Sequence, residues 1–352
     1  MESKRGNRMK KFIIAIAALL TSASVIASPS LGAVNKLGGT CTKVGTISGA
    51  LICQKSGSKL LWAKYSAPKP APSSADYITP QVLAALKVTK LPANLTPPIA
   101  KVPTDKSFWL DQACSVDFAD VKTPDCQAGD PKGTKIMVVY GDSHASMWMT
   151  ALNQIAIDSG YKIYLFAKLA CPILEVPIWS YQLNRPFTEC NDWQKLVLPK
   201  IADLHPDLLI TTDQFKPAVT NGVKSDFDTP FLWTDQYPKA LAHLKQIAKK
   251  VVVISNNPSM STDSASCASR PGANIVTCSS GRAAADNHAI NNIEQSAAKS
   301  LGIPFVDVVP WACSPDLCPV IINNIFVYFD QWHFTASYVT WLTPALKKAL
   351  NL

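Results

Sequence analysis

The sequence predicts an α/β protein, a doubly wound parallel sheet of about five strands with helices on both faces, three layers deep in the flavodoxin-like manner. Three observations predict it. Apolar runs of strand length recur at residues 136–139, 162–167, 207–212, 251–255 and 303–309; they are too short for helices and do not alternate with polar residues, which is the pattern of strands buried on both sides. Between them lie segments with apolar residues at helical spacing, such as Trp148, Leu152 and Ile155, or Leu241, Leu244 and Ile247. Strand and helix then alternate along the chain, as a parallel sheet covered on both faces requires.

The chain begins outside that pattern. Lys4, Arg5, Arg8, Lys10 and Lys11 precede an apolar run over residues 12–26, with small residues at Ala27 and at Gly32-Ala33. Residues 1–33 therefore read as a secretory signal peptide, cleaved after Ala27 or Ala33. A retained membrane anchor is the other reading, although the run is short for a span. The formal charge is +9, and a leader with five cations and one anion accounts for four of those charges. No Lys/Arg patch interleaved with aromatics remains, so no nucleic-acid partner is expected.

Ten cysteines in an exported chain are expected to form disulfides. They fall into neighbouring sets, Cys41 with Cys53, Cys114 with Cys126, Cys171 with Cys190, Cys267 with Cys278, and Cys313 with Cys318, and sequential pairing is the simplest connectivity. Zinc is disfavoured by the absence of a Cys-x-x-Cys pair or a His-rich spacing. Residues 34–64 read as a small disulfide-bridged β module, either a wall-binding unit or a spacer, and too small to bury a core unaided. Residues 65–104 are rich in Pro, Ala, Ser and Lys and read as a linker, with a helical turn or two from residue 78 to 86. Residues 105–352 form the main domain. Expected helices run from the turn after the first strand to Gly160, then over 192–204, 238–250, 279–300 and 335–350. An irregular insertion between Cys171 and Cys190 carries Trp179, Tyr181, Arg185 and Phe187, whose aromatics either stack on a sugar or pack under the loop.

In open α/β sheets, sites lie at the strands' carboxyl ends. At the end of the first strand stands Gly141-Asp142-Ser143-His144-Ala145. A serine between a strand end and a helix's first turn has an exposed hydroxyl with backbone N–H groups beside it, which suits a nucleophile with an oxyanion hole. It is equally the pattern of a helix-capping serine, so a partner must decide. That partner is Tyr328-Phe329-Asp330-Gln331-Trp332-His333-Phe334. A general base needs an imidazole held in one tautomer by a carboxylate, and Asp330 and His333, three residues apart on a turn, meet in that way locally. His205, His243 and His288 have no carboxylate so placed, and His144 shapes the pocket beside the nucleophile.

These blocks resemble the SGNH or GDSL hydrolases, in which Gly-Asp-Ser opens the domain and Asp-x-x-His closes it. With Cys171-Pro172 after the second strand, the late pair Cys313 and Cys318, and Tyr328-x-Asp330-x-x-His333-Phe334, residues 105–352 resemble in particular the extracytoplasmic SGNH domains associated with membrane acyltransferases of bacterial surface polysaccharides. The resemblance implies Ser143 as nucleophile, His333 as base and acid, and Asp330 orienting the ring. It implies no cofactor and no metal. The wider family adds a glycine after the second strand and an asparagine in Gly-x-Asn-Asp after the third as oxyanion donors. Here those positions read Lys168-Leu169-Ala170 and Thr211-Thr212-Asp213-Gln214, so the donors are expected to be the Ser143 backbone N–H and the Gln214 amide.

The chemistry so implied is O-acyl ester hydrolysis or acyl transfer on a cell-envelope carbohydrate, by a secreted or envelope-associated monomer. Its substrate would be an acylated glycan or other O-acyl ester, with a membrane acyltransferase as a conceivable acyl donor. Hydrolysis and transfer share the acyl-serine and are not separable from sequence. A catalytically weak or inactive SGNH-fold carbohydrate-binding protein is the alternative. Asp142-Ser143-His144 also matches the Asp-x-His opening of two-metal phosphoesterases, but the Gly-Asp-x-x-Asp and Gly-Asn-His segments of that class are lacking. An unperturbed imidazole base predicts activity rising through about pH 6–7.

Overall fold

The computed structural model describes residues 36–42, 47–48, 51–56, 58–64, 77–111 and 114–352. The expected signal peptide lies outside the described residues, and so do the Cys53 side chain and its pairing with Cys41. No helix among the described residues is long and apolar enough to cross a membrane. The chain divides into two compact units, Met1–Ala71 and Pro72–Leu352. The first contains a three-stranded antiparallel sheet formed by Ile47–Ser48, Leu51–Ser56 and Lys59–Lys64, against which the Gly38 N–H donates to the Trp62 carbonyl at 2.7 Å.

The second unit is built on one sheet. Its strands are β1 (Ser115–Val116), β2 (Gln127–Gly129), β3 (Lys135–Gly141), β4 (Tyr161–Lys168), β5 (Leu208–Thr212), β6 (Val251–Ile254) and β7 (Phe305–Val306). The spatial order is β7-β6-β5-β3-β4-β1, all parallel, while β2 pairs antiparallel with β4. The five strands expected from the sequence are β3 to β7. The chain winds from β3 out to β4, then returns across β3 to β5, so the strand order reverses between β3 and β5. The crevice at such a reversal is the usual ligand position in doubly wound sheets.

Alternate residues of the central strands feed two cores. Met137, Val139, Ile210, Val252 and Ile254 face α1 (Ile78–Ala85), α2 (Ser143–Ser159) and α6 (Ala336–Ala349). Val138, Tyr140, Leu209, Val251 and Val253 face α3 (Thr188–Asp203), α4 (Thr229–Ile247) and α5 (His288–Ser300). Every residue of β5 and β6 is buried, the physical reason these strands lack alternation.

Three expectations are corrected. Residues 77–104 are not an extended linker: Ile78, Val82 and Ala85 recur at helical spacing and are buried with Val102 in the first core. Thr96 joins a hairpin formed by Ile321–Ile322 and Ile325–Phe326, accepting from the Phe326 N–H at 2.8 Å and donating to the Asn324 carbonyl at 2.9 Å. The proline content signals extended chain, but the apolar spacing wins because it matches a core face. The helix expected at 238–250 instead begins at Thr229, with Pro230 in its first turn and Pro238 inside it; Pro238 had the look of a helix start. The helix expected over 279–300 is broken into Arg282–Ala285 and α5.

Among the described residues four disulfides are formed, Cys114–Cys126, Cys171–Cys190, Cys267–Cys278 and Cys313–Cys318. They agree with sequential pairing, and each closes a short loop, the partners being 5 to 19 residues apart.

Candidate active site

The turn between β3 and α2 is fixed by one local cap and two contacts with the end of β5. A Cβ on Gly141 would run into the carbonyl oxygen of Thr212 on the adjacent β5, so only glycine lets the two strand ends approach this closely. Asp142 caps α2, its Oδ1 accepting from the His144 N–H at 2.8 Å. Its Oδ2 accepts from the Gln214 N–H at 2.8 Å, which ties the turn to the chain leaving β5. Gly160 ends α2 in the left-handed conformation (φ 70°), as its place in the sequence predicts. Ser143, the first residue of α2, is thereby held at the reversal point of the sheet.

The base loop is built differently. Phe329 and His333 close a tight hairpin, the Phe329 N–H donating to the His333 carbonyl at 3.1 Å. Inside it Asp330 Oδ1 accepts from the N–H groups of Trp332 and His333, both at 2.7 Å. The loop is anchored to its neighbours by the Met260 N–H on the Gln331 carbonyl at 2.7 Å and by the Phe334 N–H on Met147 Sδ at 3.0 Å. α6 follows, capped by Thr335.

The structure brings Ser143, His333 and Asp330 into line. His333 Nε2 lies 2.8 Å from Ser143 Oγ, and His333 Nδ1 lies 2.8 Å from Asp330 Oδ2. The tautomer that satisfies both contacts carries its proton on Nδ1 and offers the Nε2 lone pair to the serine hydroxyl. Burial depresses the affinity of His333 for protons; the Asp330 hydrogen bond opposes this and the neighbouring His144 adds to it, for a net fall below the ordinary imidazole value. For Asp330, burial acts upward, but the His333 hydrogen bond and charge with two backbone donors outweigh it and hold the carboxyl below its usual range. Asp330 is therefore a carboxylate and His333 a neutral ring at neutral pH.

These residues open into a pocket of about 650 Å³. Its wall includes Leu169, Ala170, Gln214, Phe215 and Asn256, with Tyr181 and Trp332 toward solvent. Ala170, at the position where a glycine was expected from the wider family, adopts φ 59°, the left-handed region that glycine prefers. Among the described residues, neither the Ser143 N–H nor the Ala170 N–H finds an acceptor within the chain. Gln214 lines the pocket too; its Oε1 accepts from Lys216 Nζ at 2.6 Å, which leaves its Nε2 as a free donor. Of the insertion aromatics, Phe187 is fully buried, whereas Tyr181 is 54% exposed at the pocket rim.

Sequence reasoning missed Lys216 and Asn257 of the site, and it gave no contacts for His144, read as shaping the pocket, or for Asp213. Lys216 orients Gln214. Asn257 donates from Nδ2 to the Trp332 carbonyl at 2.8 Å, and His144 Nε2 contacts the same oxygen at 3.2 Å. Asp213, expected only as part of a family motif, is 1% exposed below the site. Its Oδ1 accepts from the Ile173 N–H at 2.9 Å, and burial together with Asp142 raises its carboxyl well above the ordinary range. For His144 the signal was its place beside Ser143, and for Asp213 its place in the segment after the third expected strand; Lys216 and Asn257 gave none. No group of three or more His, Cys, Asp or Glu side chains arranged for a metal occurs among the described residues.

Residues 113–348 match the family model described as "SGNH domain (fused to AT3 domains)". Comparison with curated proteins gave no match. Solved structures with a similar chain path include the periplasmic domain of a lipopolysaccharide acetyltransferase from Salmonella ser. Paratyphi A, 17% identical over 63% of this chain and 85% of that one, with a TM-score of 0.47. A carbohydrate esterase family 2 enzyme with its carbohydrate-binding domain, from Corynascus thermopiles (Myceliophthora fergusii), is 16% identical over 63% and 68% of the two chains, with a TM-score of 0.40. The acetyl xylan esterase AlAXEase is 13% identical over 61% and 99%, with a TM-score of 0.35.

Proposed function

The chain belongs to the SGNH domain family, and from that premise we propose that it is a secreted serine O-acyl esterase or O-acyltransferase, acting on an acylated carbohydrate of the cell envelope through an acyl-serine. One observation carries the reading: Ser143 Oγ, His333 and Asp330 form a continuous hydrogen-bonded relay, with both links at 2.8 Å, on the wall of a solvent-connected pocket.

In the first half-reaction Ser143 Oγ attacks the acyl carbonyl carbon while its proton passes to His333 Nε2. Asp330 holds the imidazolium. The tetrahedral oxyanion takes hydrogen bonds from the Ser143 and Ala170 N–H groups and from Gln214 Nε2. Collapse breaks the ester C–O bond, and the departing sugar oxygen receives the proton from His333. In the second half-reaction His333 deprotonates water or a sugar hydroxyl, which attacks the acyl-serine and regenerates the enzyme. Water gives an esterase and a sugar hydroxyl gives a transferase.

Export is supported by the four disulfides, which persist in oxidising compartments. A carbohydrate substrate is supported by Tyr181 and Trp332, residues 54% and 46% exposed at the pocket, whose aromatic rings can stack on a pyranose, although Lys224 Nζ lies over the Tyr181 ring at 5.3 Å.

The test is chromophore release from a short-chain aryl acetate by the purified protein beside Ser143→Ala, with and without a chelator. The expected result is a loss of about 10³-fold or more in the variant and indifference to chelation in the wild type. Release equal in both proteins rejects the serine route, and release abolished by the chelator rejects metal-free chemistry. No release from the wild type, with retained binding of acylated oligosaccharides, turns the assignment to a carbohydrate-binding protein. Added sugar acceptors that divert the acetyl group from water identify a transferase.

A further inference from the structure

Beside the relay of Ser143, His333 and Asp330 lies a second carboxylate–imidazole pair. His144 is 1% exposed. Its Nδ1 is 3.1 Å from Asp142 Oδ1, its Nε2 is 3.2 Å from the Trp332 carbonyl oxygen, and its ring centroid is 4.9 Å from that of His333. Both ring nitrogens thus face oxygen acceptors. Filling both contacts takes two protons on the Asp142–His144 pair taken together.

The carbonyl that His144 reaches belongs to the peptide joining Trp332 to His333. Its other lone pair is taken by Asn257 Nδ2 at 2.8 Å, and the N–H of the same peptide donates to Asp330 Oδ1 at 2.7 Å. That peptide plane is therefore held at both edges, and its orientation sets where the His333 side chain leaves the backbone. Asp142, at the other end of the pair, caps the helix that carries Ser143 and binds the Gln214 N–H.

We propose that His144 is a positioning residue that, with Asp142, locks the nucleophile turn to the base loop through the Trp332 carbonyl and so fixes the His333 ring against Ser143. His144 also acts on His333 through space. The groups facing His333 are Asp330 on its own loop and Ser143, His144 and Asp142 from the nucleophile turn. Of these, His144 pushes the proton affinity of His333 down, whereas Asp330 and Asp142 push it up. Loss of His144 therefore moves the acid limb of the pH–rate profile to higher pH.

The kinetic arm of the test rests on the acyl-transfer reading, so it is paired with one that does not. His144→Phe keeps bulk but removes both contacts, and His144→Gln returns an amide donor near the position of Nε2. On an aryl acetate, His144→Phe is expected to lower kcat about tenfold to a hundredfold with little change in KM. His144→Gln is expected to recover most of that loss while both variants show the upward-shifted acid limb. A wild-type rate and profile in His144→Phe overturns the proposal, as do equal losses in both variants with an unshifted limb. If His144→Phe does not fold, as judged by thermal unfolding, His144→Gln alone decides through its acid limb. If the wild type turns over no ester, the imidazole C–H signals of His333 are titrated by NMR in wild type and His144→Gln. A higher midpoint in the variant supports the proposal although the esterase reading has failed, and an unchanged midpoint overturns it.

Discussion

The two arms of the site are held by different means. The nucleophile arm is regular structure: a strand paired on both edges, a glycine that lets β3 and β5 close up, and a capped helix, with Asp142, Ser143 and His144 all buried. The base arm is a hairpin of bends whose Trp332 is 46% exposed, and side-chain and backbone hydrogen bonds to one carboxylate and one carbonyl keep its shape. The backbone arm fails by sterics and the side-chain arm by chemistry. A change that hardly alters stability can therefore disable the base, whereas disabling the nucleophile by changing its surroundings also damages the fold.

Asp330→Asn strikes the base arm and carries the largest expected effect in this comparison. It removes the charge that holds Nδ1–H toward residue 330, and kcat on an aryl acetate should fall by about 10²–10⁴. Thermal unfolding should move little, since an asparagine oxygen still accepts from the backbone. Gly141→Ala is the matching blow to the nucleophile arm. Its methyl meets the Thr212 carbonyl, so denaturant unfolding should show a loss of about 1–3 kcal/mol together with reduced activity. If it is neutral in both, the close approach of the two strands is not what holds the serine.

Smaller effects sharpen the contrast. Glu294 is 1% exposed and makes no side-chain hydrogen bond, and burial, with Asp213 and Asp142 nearby, raises its carboxyl well above the ordinary range against the opposing pull of the Asn256 backbone. A group raised in the fold contributes stability below its unfolded value, and that contribution is lost as pH rises toward the folded value. Glu294→Gln should therefore stabilise the protein at neutral pH by about 1 kcal/mol, with the gap to wild type closing in acid, as read by thermal unfolding across pH. The base arm gives the smallest signal. Because His333 is depressed in the fold, the acid limb of kcat/KM should lie below the ordinary imidazole value of about 6.5. A limb at or above that value would mean that the buried ring is not the titrating base.

The same contrast explains what the sequence made legible. Gly141-Asp142-Ser143 could be read because strand, turn and helix are local and the surrounding strands are unalternated. Asp330 and His333 could be read because three residues of spacing suffice for them to meet. The partners of the Trp332 carbonyl could not: His144 and Asn257 reach it across 188 and 75 residues, and no periodicity encodes such a contact. Nor do β1 and β2, with two and three residues, carry a pattern of their own. Residues 77–104 mislead because their prolines signal extended chain, whereas Ile78, Val82 and Ala85, spaced along one helix face, are buried in the core.

The 190 positions between Ser143 and His333, with α6 following the base and packing on α2, also bear on when this protein can act. In synthesis Ser143 is made before β4 and β5, the neighbours that pair with its strand, and long before the segment around His333. On the proposed acyl-serine reading the serine is therefore an ordinary alcohol until the segment around His333 is in place, and a chain truncated before Asp330 would keep it one.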